Sequence, residues 1–420
     1  MKNLILILLI FLCFACTKSP FENHEIEKVW PEPAISLENF KSTILKNKNG
    51  WEFLIQNKGN NSFHYGYLNF KSEKSLEFLS DFSPKYYNLN TSEINIDLVE
   101  INAGIIFPTR SRLSLFALES NVLDSIYIVK TIHPDTIILE GQTKRSTLTL
   151  TRANESKLEK IKNNSIATNK NSLTKILKMP KFFFHLENEG KKVDLDIDTI
   201  EKTFNLRHNV GNKLKVDVFH YYFDADGIKF QNDLIFNNKA FDKITVNSIS
   251  ESEASLSGGL KIINEKSPIY YDPTAIKVLE GTDISFGWGS TDGFSTRDKN
   301  DITKFKNIQN FNRFILFPRY DRDTLVKKDY GFMGIFLRGE YVPGSDLPEV
   351  HIQSNSLIKF TPFKLAQAPS KESNVIETKK LLYPIIYNEK GFYVIQMRNG
   401  LFLVDARDAL KWIYFQQAMS

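Results

Sequence analysis

Lys213-Leu214-Lys215-Val216-Asp217-Val218 continues through Phe219-His220 into Tyr221-Tyr222-Phe223, then Asp224-Ala225-Asp226-Gly227, then Ile228-Lys229-Phe230. Leu214, Val216 and Val218 alternate with Lys213, Lys215 and Asp217. A period of two places one side of a strand in a core and the other in water. Asp226-Gly227 between two such runs is a hairpin signal, because these residues accept the backbone angles of a tight turn. The same unit recurs. Ile94, Ile96 and Leu98 alternate with Asn95 and Asp97; Leu148 and Leu150 lie between Thr147, Thr149 and Thr151; Val193, Leu195 and Ile197 lie between Asp194, Asp196 and Asp198. Asn399-Gly400 separates Tyr393-Val394-Ile395 from Leu401-Phe402-Leu403. This is the pattern of antiparallel sheets with one wet face.

Composition points the same way. The 420 residues include 33 Phe and 16 Tyr, and aromatic residues favour strands. The expected fold is mainly β with a few helices (α+β), its antiparallel sheets grouped in two β-rich parts. An N-terminal helix packs on the first part. Ser36 caps that helix, Leu37, Phe40, Ile44 and Leu45 form its apolar face, and Asn49-Gly50 ends it. Between Asn154 and Met179 the chain is rich in Lys, Asn and Ser. Leu158 with Ile161, and Leu173 with Ile176 and Leu177, have helical spacing there. The expected layout is a signal peptide at 1–15, a lipidated tether at 16–35, an N-terminal β-rich domain with its leading helix at 36–153, a linker with short helices at 154–179 and a C-terminal β-rich domain at 180–420. Thr282 to Asn312 reads as including a long loop. No repeat of fixed period is visible.

The chain starts Met1-Lys2-Asn3, runs apolar from Leu4 to Ala15 and reaches Cys16. A short basic end, an apolar run and a small residue make a secretory signal. The run is shorter than the roughly 20 residues a membrane-spanning helix needs. Cys13-Phe14-Ala15-Cys16 resembles the lipobox of bacterial lipoproteins, which implies cleavage after Ala15 and lipid on Cys16. A multiply acylated cysteine gives a durable membrane anchor. Cys13 and Cys16 are the chain's two cysteines, so a mature chain beginning at Cys16 has no disulfide and no cysteine metal site. The polar stretch broken by Pro20, Pro31 and Pro33 reads as a tether. The net charge of +5 is too dilute for a nucleic-acid footprint, which needs a clustered basic face. No nucleic-acid partner is expected.

Candidate sites follow from residue type and spacing. No two of the seven histidines stand four apart, and H-E-x-x-H is missing, so no metal or cofactor is expected. Asp224-Ala225-Asp226-Gly227 starts like a calcium loop, but the twelfth position is Ile235 rather than Glu, which leaves a hairpin turn. Asp194, Asp196 and Asp198 read as a solvated strand face. There is no G-x-S-x-G elbow and no P-loop. The expectation is a non-catalytic ligand-capturing protein. The alternatives are a hydrolase using paired acids and a structural envelope protein with a protein partner. Trp288 is the leading binding candidate. It lies between Gly287 and Gly289, flanked by Phe286 and Phe294, with Asp292 and Arg297 nearby. An exposed aromatic plane covers the C–H face of a sugar while polar neighbours take its hydroxyls. The competing reading is a core tryptophan under a glycine turn, since aromatic side chains are usually buried. Tyr270 and Tyr271 are further candidates of the same kind.

Several blocks carry a family resemblance. These are Gly50-Trp51, Phe107-Pro108-Thr109 before Leu113 to Ala117, Asp124-Ser125-Ile126-Tyr127-Ile128-Val129, Asp135 to Gln142, Leu148 to Ala153 and Asp226 to Phe230. Together they resemble a large uncharacterised lipoprotein family of Bacteroidetes-type bacteria, a domain of unknown function, over residues 35 to 250. Members are often encoded beside SusC/SusD-type uptake systems. The resemblance implies an outer-membrane accessory on the cell-surface side, capturing glycan or peptide next to transporter proteins. The chain after about Ser250 inherits nothing from it.

Overall fold

The computed structural model describes residues 35–57, 63–211, 213–280, 287–319, 330–338, 341–342, 345–353, 357–365, 370–397 and 400–418. The signal segment, Cys16, all of the tether but its last residue, and Phe286 lie outside the described residues. No helix among the described residues is long and apolar enough to cross a membrane. The chain is mainly β and antiparallel, as the alternation predicts.

Helix α1 (Leu37–Lys46) begins at Ser36, whose hydroxyl accepts the Asn39 N–H at 3.2 Å. It leads into a meander of β1 (Trp51–Gln56), β2 (Phe63–Ser72), β3 (Ser75–Ser80), β4 (Asn90–Glu93), β5 (Asn95–Val99) and β6 (Asn102–Ile106). After α2 (Arg112–Ser120) come β7 (Ile126–Ile132), β8 (Thr136–Gly141) and β9 (Thr147–Arg152). Each strand except β4 pairs with the next, and β9 pairs back onto β1. One residue, the buried Ile94, separates β4 from β5; β4 bonds to β3 and β5 bonds to β6. That bent strand changes partners halfway along, so the sheet closes into an eight-strand barrel. A barrel of this size has an interior just wide enough for side chains to fill. Trp51, Phe53, Leu68, Phe78, Ile96, Ile105, Tyr127, Leu139 and Leu150 fill it, and the helices add Phe40, Ile44, Leu113 and Phe116 to the same core.

Two of the blocks quoted for the family resemblance, Gly50-Trp51 and the one starting at Asp124, are structural joints. Gly50 takes φ +70°, and a Cβ there would lie 2.3 Å from the Tyr67 hydroxyl. The Trp51 indole N–H donates to the Ile44 carbonyl at 3.0 Å, tying α1 to the barrel. The buried Asp124 carboxylate accepts the N–H groups of Thr143 (2.9 Å) and Lys144 (2.7 Å) and the Ser146 hydroxyl (2.6 Å). It thereby shapes the β8–β9 turn.

Helices α3 (Glu155–Lys162) and α4 (Ser165–Leu177) follow. A second meander then runs β10 (Phe183–Asn188), β11 (Lys191–Asp198), β12 (Thr203–Val210), β13 (Lys213–Phe223), β14 (Ile228–Phe236), β15 (Lys239–Ile244), β16 (Val246–Ile249), β17 (Glu253–Leu256) and β18 (Leu260–Glu265). It closes by the same device. Thr245 separates β15 from β16, which bond to β14 and β17 respectively, and β18 pairs onto β10. The parity on β13 is opposite to the sequence expectation. Tyr221 and Phe223 point into the core, so the odd positions face inward, while Val216 and Val218 are exposed. Phe219, Tyr221 and Phe223 set the inward side, and Leu214, Val216 and Val218 take the outer one.

After α5 (Pro273–Glu280) come β19 (Gly287–Ser290), β20 (Phe294–Ser295), β21 (Phe311–Phe317), β22 (Phe332–Leu337), β23 (Asp346–Ile352) and β24 (Leu357–Leu365). Helix α6 (Ser373–Ile386) precedes β25 (Phe392–Met397), β26 (Gly400–Asp405) and β27 (Trp412–Ala418). Here β19 pairs with both β21 and β27, which closes the ring, and β20 is added beside β27. Residues 180–420 therefore hold two separate sheets with two cores rather than one β-rich part. The third core includes Ile276, Phe305, Phe314, Phe360, Leu382 and Phe415.

The first two barrels are joined by β2, which is buried on both faces. Leu68 and Phe70 point into the first core, while Tyr65 and Tyr67 belong to the second. The Tyr65 and Tyr222 rings stack at 5.7 Å. Beside them Asp81, fully buried, accepts from Lys202 at 2.6 Å and from the N–H groups of Tyr65 (3.0 Å) and Phe223 (3.2 Å). Burial alone would raise the Asp81 carboxyl, but the Lys202 ammonium beside it holds it down at about 2. Its folded value lies below the ordinary carboxylate value near 3.9. Its stabilising contribution is thus complete above about pH 4 and lost as pH falls through about 2. Asp81→Asn should cost about 3–5 kcal/mol at neutral pH, because Lys202 is left buried without its counter-charge. Denaturant titrations should show the gap between wild type and variant closing from pH 4 to pH 2. A gap that stays constant over this range would show that the ionised carboxylate is not the source of the difference.

Candidate ligand-binding cleft

A cavity of about 1100 Å³ opens between the outer faces of the second and third barrels. Strand register builds both of its walls. On the second barrel, His185, Asp194, Arg207 and Val216 stand in one cross-strand row over β10 to β13. Asp196 and Asn205 stand in the next row. Asp194, Asp196 and Arg207 line the cavity. On the third barrel, Ile395, Phe402 and Tyr414 form one row over β25 to β27, and Tyr393, Val404 and Trp412 form the next. The Phe402 and Tyr414 rings lie 4.8 Å apart. One wall is polar and the other largely aromatic.

The carboxylates on the polar wall are held in place. Asp194 is buried and accepts the N–H groups of Ile269 (2.9 Å) and Tyr270 (2.8 Å), with His185 Nε2 at 3.0 Å. Its row is therefore not the solvated face that alternation suggests; the segment after β18 covers it. Asp196 accepts from the Asn205 amide at 3.2 Å and faces Arg207 at 3.5 Å. Asp198 accepts the N–H groups of Ile200 and Glu201 and so shapes the turn before β12. No cluster among the described residues has the three His, Cys, Asp or Glu side chains needed to hold a metal ion.

The residues singled out from sequence divide three ways. Asp292, Arg297 and Tyr270 line the cavity. Tyr271 packs in the joint between the barrels, 6.0 Å from the Tyr393 ring. Trp288 is 3% exposed in the third core, and its indole N–H donates to the Leu279 carbonyl at 2.8 Å. It is a core tryptophan with no face for a ligand, because β19 places it on the inside of a closed ring. Asp292 stands at the rim, paired with Lys306 at 2.8 Å. Arg297 is a clamp. Its Nε donates to the Met179 carbonyl (2.9 Å), and its Nη2 donates to the carbonyls of Lys181 and Phe182. Its guanidinium lies over the rings of Phe184 (5.2 Å) and Trp412 (5.0 Å). Burial pulls its pKa down to about 10.

Sequence reasoning missed Phe402, Trp412 and Tyr414. The signal was present in Trp412-Ile413-Tyr414-Phe415. A strand that is apolar on both faces needs cover on both, and here Ile413 and Phe415 enter the core while Trp412 and Tyr414 face the cleft. The cavity lining carries five carboxylates and five cationic side chains. That balance favours a neutral or zwitterionic occupant over a strongly charged one.

No curated protein matches the chain. Among solved structures, DNA polymerase III subunit beta from Borrelia burgdorferi, in complex with a natural product, is 10% identical. That alignment covers 91% of this chain and 96% of that one, with a TM-score of 0.13. The H.pylori beta clamp in complex with 5-chloroisatin is 8% identical, with 92% and 99% covered and a TM-score of 0.12. Likenesses at these scores carry no argument about fold or function. A family model matches residues 35–248, from the start of α1 into β16. That span takes in the first barrel, the helix pair and most of the second barrel, half of the chain, and the chain belongs to the family described as "Domain of unknown function (DUF4302)".

Proposed function

We propose that this protein is a lipid-anchored envelope protein that captures a glycan or peptide in the cleft between its second and third barrels, beside an outer-membrane uptake transporter. The observation that carries this reading is the pairing of a polar wall with the aromatic row Phe402–Tyr414 in a cavity of about 1100 Å³. Pockets of roughly 300–1,000 Å³ hold small-molecule ligands, with apolar surface for area and a few fixed polar groups for orientation. Sugar rings and peptide side chains both offer apolar faces bordered by hydrogen-bonding groups. The pre-held Asp194 and Asp196 lose little entropy on binding. The anchoring part rests on the sequence at Cys16 and its apolar leader.

Glycan-array and peptide-library binding should find a ligand whose affinity drops about tenfold or more in Tyr414→Ala, as expected for a central aromatic contact. No ligand in either format, or equal binding by the variant, would refute capture in this cleft. Arg297→Lys should lower stability by about 2–3 kcal/mol, since an ammonium cannot reproduce the fork that reaches three carbonyls and stacks between two rings. Thermal melts report this, and an unchanged midpoint would remove Arg297 from the joint. Mass spectrometry of the membrane-extracted protein should find Cys16 as an acylated first residue. A free thiol there would end the anchoring proposal.

A further inference from the structure

A second, smaller cavity of about 230 Å³ lies where the first two barrels meet, lined in part by His64, Lys170, Lys202 and Tyr221. Three of these side chains have donors or charge left over. Lys202 is fully committed: its Nζ donates to Asp81 at 2.6 Å, to the Phe63 carbonyl at 3.1 Å and to His64 Nδ1 at 3.4 Å. With Lys202 donating to Nδ1, the neutral His64 ring carries its proton on Nε2. Burial favours that neutral form by lowering the His64 pKa. Among the described residues, none accepts a hydrogen bond from His64 Nε2. Lys170 pairs with no carboxylate among them either; its ammonium lies over the Tyr87 ring at 5.1 Å. Tyr221 is 1% exposed, and its buried hydroxyl has no hydrogen-bond partner.

The nearby carboxylate does not answer these donors. Asp81 neutralises Lys202 and takes the N–H groups of Tyr65 and Phe223. Residues carrying one cation with no hydrogen-bonded carboxylate among those described, and two donors without an acceptor, therefore line a single small space. Buried polar groups without partners are costly, and a ligand that supplies the acceptors recovers that cost. We propose that this cavity binds a small oxyanion, a carboxylate or phosphate group, through the Lys170 ammonium, the His64 Nε2–H and the Tyr221 hydroxyl. At roughly 30 Å³ for each water displaced, the space admits one such group and a short stem. Thr174 and Thr199 line both this cavity and the larger cleft. The site goes beyond the capture reading and stands without it.

The test uses the full chain, with calorimetry and thermal melts in inorganic phosphate and in acetate, against sodium chloride at matched ionic strength. Saturable heat and a raised melting point are expected with phosphate, acetate or both, and not with chloride. Response to one probe alone assigns the site to phosphate or to carboxylate ligands. Tyr221→Phe should weaken binding about tenfold, the worth of one hydrogen bond to a charged group, and Lys170→Met should abolish it. Tyr414→Ala in the cleft should leave the response intact. No saturable heat with either probe, or an unaltered response in both Lys170→Met and Tyr221→Phe, would overturn the site.

Discussion

A strand needs hydrogen-bonding neighbours, and among the described residues three ring closures supply most of them; the short β20 has one, β27. An open meander would end in two bare edges, each a template for aggregation. The first two barrels avoid this with a single strand that changes partners at one residue, Ile94 or Thr245. The third does so by pairing β19 with β27. Closure also decides which side chains are inside. Once the ring is complete, alternation leaves no choice, and the inward positions make three dense cores with no room for a ligand at their centres. Binding space is left to the joints between barrels, where the cavities of about 1100 Å³ and 230 Å³ both lie.

Those joints explain why the outer faces are less polar than a free barrel's. β2 is buried on both sides because it serves two cores. β27 offers Ile413 and Phe415 to its own interior and Trp412 and Tyr414 to the neighbouring barrel and the cleft. Arg297 holds the second joint through backbone carbonyls and ring faces rather than through an ion pair. Its charge is therefore not neutralised by the groups that hold it. The aromatic wall, Arg297 and Asp292 all lie beyond the segment that the family model matches, while the polar wall lies within it.

Much of the architecture was legible in the chain. The cap at Ser36, the helix over Phe40 and Ile44, the alternation at Leu148 and Leu150 and the turn at Asp226-Gly227 all correspond to elements of the structure. Other features were hidden for physical reasons. Parity on β13 cannot be read from Leu214, Val216 and Val218, because Tyr221 and Phe223 further along compete for the inward side and win by area. The threefold repetition of barrels is invisible as a period, since loops, helices and strand lengths differ from one to the next. Trp288 between glycines suits an exposed turn and an inward strand position equally well. Only the closed ring distinguishes them.

The register also sets how the molecule answers force. Trp51 at the start of β1 lies opposite Arg152 at the end of β9, and Phe183 lies opposite Glu265 and Gly287 opposite Ala418 in the other two rings. Chain entry and exit are thus side by side on antiparallel neighbours. A pull along the polypeptide would load the seam of each ring one hydrogen bond at a time, like a zip, rather than shearing all of them together. Under such a pull each barrel is a unit that yields softly and in sequence.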